Sequence, residues 1–150
     1  MRSKMMIRKL VFSALAAVVI ALGAWCLIFG AYLDVHQSVI VAAAARDWPG
    51  ALERLGEYRS GLISFPIYGS GMFEGLRARL LYDEGVVRAA LGDAAGAREA
   101  FREAIRLLSD GEDAAEAFYN LSRLDIDRDD LDQAVENLRS ALARAPADRD

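Results

Sequence analysis

The sequence predicts an all-α chain: one N-terminal transmembrane helix followed by a short stack of helical hairpins. Three observations carry this. Leu10 to Leu33 is a run of 24 residues without a charge, where roughly 20 are needed to cross a hydrocarbon core of about 30 Å. Beyond it, apolar residues recur at helical spacing almost to the end, without strand-like alternation. The motif Ala97-x3-Phe101-x2-Ala104 also returns 37 residues later as Ala134-x3-Leu138-x2-Ala141, and a fixed period marks stacked repeat units.

The first segment, residues 1–9, is basic. Arg2, Lys4, Arg8 and Lys9 precede the apolar run, and residues 1–33 hold no acid. By the positive-inside rule the N-terminus stays in the cytoplasm. Residues 34–150 then lie outside, which in a bacterial inner membrane means the periplasm. A cleaved leader is the weaker reading, because its apolar core is usually about 7–15 residues and Ala21-Leu22-Gly23 is a poor cleavage site. A lipoprotein is weaker still, since Trp25 before Cys26 is too large for a lipidation signal. An uncleaved anchor over residues 10–33 is expected.

From Asp34 onward there are 14 basic and 22 acidic residues. A part that acidic is a poor match for nucleic acid, which demands a positive surface, and for anionic headgroups. Cys26 is the lone cysteine and His36 the lone histidine, so neither an internal disulfide nor a four-ligand zinc site is available. No cofactor is expected.

Residues 34–71 form the juxtamembrane part. The first helix is expected to continue to about Ala45 and to stop at Asp47-Trp48-Pro49, because Pro disfavours helix in the residue before it. A short helix over Pro49–Arg59 follows, with Leu52, Leu55 and Tyr58 on one face. Residues 60–71, with three Gly and a Pro, read as a loop. Asp47-Trp48-x2-Ala51-x3-Leu55 echoes the later turns, so this pair is a candidate degenerate repeat.

Helical spacing resumes at Met72, and residues 72–150 hold the two copies. Each copy's second helix follows an acidic turn, Gly92-Asp93 and Asp129-Asp130. Small residues (Gly85, Ala97, Ser122, Ala134) let helices approach, and Phe101, Phe118 and Leu138 fill the space beside them. The second copy, 115–148, has Phe118, Leu121-Ser122 and a closing Pro146; the first, 78–111, keeps Leu81, Gly85, Gly92, Ala97, Phe101 and Ala104. The pattern resembles the tetratricopeptide repeat, a helix–turn–helix unit. Glu84 stands where the family has Leu, Phe118 where it has Trp, and Arg88 and Asp125 replace its usual aromatic.

The resemblance implies a groove lined by the first helices of successive repeats that takes a peptide or a partner helix. The positions that map there are Arg79, Tyr82, Val86, Ala90, Glu116, Tyr119, Arg123 and Ile126. Asn120 suits a terminal-carboxylate clamp, but Tyr82 and Val86 occupy the places where that clamp has Lys and Asn. On the last helix, Leu131, Ala134, Leu138 and Ala141 are expected to face inward. Val135 and Leu142 are left on a neighbouring stripe as a contact for a partner or a second copy.

Asp125-x-Asp127-x-Asp129-x6-Glu136 has the spacing of a calcium loop. Asp130 stands where the loop requires Gly, however, and Asp132 where it has a hydrophobe. A solvated acidic turn is the better reading. His36 has no apparent acid to orient it and reads as a helix residue near the membrane. The expected function is a non-catalytic, membrane-anchored adaptor or assembly factor for a cell-envelope complex. The alternative is an integral structural subunit held by its transmembrane helix and the 60–71 loop.

Overall fold

A computed structural model describes residues 2–63, 74–108 and 110–145. Among them are six helices and no strand: α1 Arg2–Ala44, α2 Trp48–Ile63, α3 Glu74–Ala90, α4 Ala94–Leu107, α5 Glu112–Ile126 and α6 Leu131–Arg144. The chain divides into two compact units, 1–34 and 35–150.

The first unit is the N-terminal part of α1. From Phe12 this helix is long and apolar enough to cross a membrane. Phe12, Leu15, Val18, Ile20, Leu22 and Leu27 are each more than half exposed. In water such a sleeve is unfavourable at roughly 25 cal/mol per Å² of apolar surface. Trp25 stacks on Phe29, ring centroids 6.5 Å apart.

The second unit begins at Val35 and contains three turns of one construction. Arg46 (φ 58°), Gly92 (φ 81°) and Asp129 (φ 62°) are left-handed, and each is followed by an Asp. That Asp donates its N–H back five residues, Asp47 to Ala42 (2.8 Å), Asp93 to Arg88 (2.9 Å) and Asp130 to Asp125 (2.9 Å). This is the Schellman closure of the preceding helix. Its carboxylate then accepts from the N–H three residues on: Gly50 at 3.1 Å, Gly96 at 2.9 Å and Gln133 at 3.4 Å. One residue therefore ends one helix and caps the next. The echo at Asp47 thus extends to the backbone of the turn. At Asp93, the Gly96 N–H and then Arg88 hold the carboxyl below its ordinary range.

Two intimate hairpins, α3–α4 and α5–α6, stack through α4 against α5, and α2 packs on α3. The core between them is Ala97 and Phe101 of α4 with Ala117, Leu121 and Leu124 of α5. Gly85 explains the closeness of α3 and α4: a Cβ there would stand 2.6 Å from Phe101 Cε1. Ser122 and Ala134, 1% and 2% exposed, are the small residues of the second hairpin.

Two expectations are corrected. Residues 60–63 are helical, since α2 runs to Ile63; a glycine at position 61 costs about 1 kcal/mol against Ala, too little to stop a helix already propagating. The rest of the expected loop, 64–71, the start at Met72 and Pro146 lie outside the described residues. Leu131 is not inward-facing but 57% exposed. At about 100° per residue it stands roughly 90° from the arc of Ala134, Asn137 and Ala141, and Asn137 takes the inner place instead.

Candidate protein-binding surface

The eight groove positions divide into two groups. Arg79 and Tyr82, on α3, are tied to α5. Arg79 forms an ion pair with Asp113. The Tyr82 hydroxyl accepts from Asn120 Nδ2 at 3.2 Å, while its ring packs on Phe101 at 5.7 Å between centroids. These residues set the spacing of the two first helices. Val86 and Ala90 on α3, and Glu116, Tyr119, Arg123 and Ile126 on α5, remain exposed. Tyr119, Arg123 and Ile126 share one face of α5 by their 4–3 spacing, with Tyr119 and Ile126 each about half exposed.

Burial first, and then the Glu116 carboxylate, pushes the Tyr82 phenol up from 10.0 to about 12. A raised folded value means that the stability linked to this group is fully present below pH 10 and is lost as pH rises through about 12. Melting temperature is therefore expected to fall across that window, with a shallower slope in Tyr82→Phe. An equal slope in the variant would refute the assignment.

Polar groups that looked separate in sequence meet in the interior. Asp125 is fully buried. Its carboxylate pairs with Arg98 of α4 and accepts from Asn137 Nδ2 of α6 at 2.7 Å, while Arg98 Nη2 donates to the Leu124 carbonyl at 3.1 Å. The acidic-turn reading of Asp125 is thus overturned: it ties three helices together, with both oxygens engaged. Glu136, the twelfth position of the calcium spacing, is exposed and paired with Arg139 at 3.0 Å. His36 also has an acid partner after all, its Nδ1 lying 3.1 Å from Asp83 Oδ2 of α3. Burial pushes the Asp83 carboxyl up, and His36 offsets part of that. None of the three links has a local sequence signal, since the partners stand 27, 12 and 47 residues apart.

Among the concavities lined by described residues of the second unit, two differ sharply in character. One, about 520 Å³, is charged, with Arg59 and Arg88 both bound to Glu84 and with Glu99 and Glu103 nearby. The other, about 490 Å³, is an apolar furrow between α5 and α6 lined by Tyr119, Leu138 and Leu142 among others. Leu142 is 76% and Val135 45% exposed. Nearby, Arg139 pairs with Glu136 at 3.0 Å, and Arg144 lies over the Phe118 ring at 4.8 Å.

Residues 115–148 match a family model described as tetratricopeptide repeat. The match includes α5 from Ala115, the turn after it and α6. No curated protein sequence matches the chain. The repeat supports a protein–protein interaction role.

Proposed function

We propose that this protein is a membrane-anchored adaptor or assembly factor for a cell-envelope complex. Its N-terminus is in the cytoplasm, α1 lies in the inner membrane, and the repeat domain binds a partner protein on the periplasmic side. The observation that carries the reading is the union of an exposed apolar helix with a repeat surface whose side chains are not consumed by the fold. Val86, Tyr119 and Ile126 offer apolar contact, flanked by Arg123. The basic segment at residues 2–9 supports the orientation.

The test is affinity capture of the full chain from detergent-solubilised envelopes, with Val86→Ser/Ile126→Ser beside it. Both sites are at least a third exposed, so folding is expected to survive. Specific loss of the co-purifying protein from the double variant is the expected result; equal recovery by both chains removes the groove reading. Protease added to spheroplasts is expected to digest residues beyond the anchor, and protection would reverse the topology.

Gly23 and Gly30 favour a second reading, an integral subunit of a membrane complex. They are seven residues apart on one helix face, with open space around both, as close helix packing requires. Gly23→Leu/Gly30→Leu separates the two: capture survives in the adaptor and fails in the subunit.

A further inference from the structure

The furrow at the end of the stack is a copy of a seat that the fold already fills once. A shift of 37 residues carries Ala78, Tyr82, Phe101, Ala104 and Ile105 onto Ala115, Tyr119, Leu138, Ala141 and Leu142. Within the first set, Phe101 forms a buried cluster with Ala117, Leu121 and Leu124 of α5, and Tyr82 and Ile105 pack against that cluster. The second set lines the open furrow. The difference in burial follows at equivalent positions: Ile105 is half-buried in the filled seat, and Leu142 is 76% exposed in the open one.

Helix α5 enters its seat with three polar ties as well as its apolar face. Asp113 meets Arg79, Asn120 meets Tyr82, and Asp125 meets Arg98. The same shift puts Glu116 in place of Arg79, keeps a tyrosine at 119, and puts Val135 in place of Arg98. The chemistry demanded of an occupant changes accordingly. Where α5 has Asp113, a basic residue is required. Where it has the buried Asp125, an apolar residue is required, because a carboxylate taken out of water without a partner costs several kcal/mol.

We infer that the α5–α6 furrow receives an amphipathic helix of another polypeptide. That helix carries Lys or Arg, then a small residue four positions on, Asn at seven, Leu at eight and eleven, and an apolar residue at twelve. No segment of these 150 residues has the pattern, and helices α2 to α6 are already engaged with one another, so a second copy of these residues does not supply it. The inference does not rest on the groove of Val86 and Ile126; it uses the end of the stack.

The probe is the protein's own α5 peptide, residues 112–126, with Asp113→Arg and Asp125→Leu. A hydrocarbon staple between positions 119 and 123, both exposed in α5, fixes its helicity. The unaltered peptide with the same staple is the control. Fluorescence anisotropy against the full chain in mild detergent is expected to show the altered peptide binding about tenfold tighter or better, as loss of one buried unpaired carboxylate requires. Leu142→Glu in the full chain, at a solvent-facing site, is expected to abolish binding with the circular dichroism spectrum unchanged. Glu116→Arg is expected to shift preference toward a peptide that retains Asp113 and carries only Asp125→Leu. Equal affinity for the altered and unaltered peptides overturns the inference. So does binding insensitive to Leu142→Glu, no binding up to about millimolar peptide, or sedimentation of the chain as a dimer that Leu142→Glu dissociates. Val86→Ser/Ile126→Ser is expected to leave peptide binding intact, so the two readings fail separately.

Discussion

Asp125→Ala is expected to cost about 3–5 kcal/mol, the loss usual when one partner of a buried ion pair is removed. The reason lies in what is left behind. Arg98 keeps its charge in a site where its side chain is only 10% exposed, and Asn137, 8% exposed, loses its acceptor. A folded domain holds about 5–15 kcal/mol in total, so this one change consumes a large share and brings the domain to the edge of unfolding. The check is a thermal melt of the full chain in mild detergent. Replacing the whole network, Arg98→Met with Asp125→Leu and Asn137→Leu, is expected to recover most of the loss, because an apolar set of similar volume leaves no stranded charge. A triple variant no more stable than Asp125→Ala would show that the network's value is not electrostatic.

Phe101→Ala is expected to cost a similar amount, about 3–5 kcal/mol, for a different reason. Phe101 is 1% exposed and touches both sides of the stack. It lies against Gly85 and Tyr82 within its own hairpin and against Ala117 and Leu121 of the next. Its removal opens a cavity at the junction through which the two repeats support each other. Gly85→Ala presses on the same ring and is expected to cost about 1–3 kcal/mol by overpacking. Phe101→Leu with Gly85→Ala is then expected to be less damaging than the two single costs together, since the smaller side chain admits the added methyl. Additivity to within about 0.3–0.5 kcal/mol would mean that the contact is not what holds α3 to α4.

The adaptor reading and the furrow reading ask different things of one small domain. The first uses exposed side chains on the first helices of the two hairpins. The second uses the α5–α6 furrow, whose apolar stripe no described helix covers. Tyr119 and Glu116 border both surfaces, and Tyr82 shows what becomes of such a position once a helix is seated: its ring packs on Phe101 and its hydroxyl is held by Asn120.

The all-α class, the long apolar helix, the acidic turns and the second repeat were legible in the residues themselves, because each rests on local physics. An uncharged run of 24 residues has the length of a bilayer wherever it stands. An Asp that caps a helix acts three residues away, so Asp93 and Asp130 announce their turns in sequence. The alternation of small and large residues at Gly85, Phe101, Ser122 and Leu138 states how closely the helices approach. What only the tertiary structure decided was the pairing of groups from different helices. Asp125 read as one acid among several near a turn, yet the fold buries it against Arg98 and Asn137. His36 read as unpartnered, yet α3 brings Asp83 to it. Leu131 read as inward-facing, yet α6 packs with Ala134, Asn137 and Ala141 buried and leaves Leu131 exposed. Spacing along one helix tells which residues share a face; which face meets which neighbour is set when the helices pack, and the energy of burying a charge is determined by that meeting.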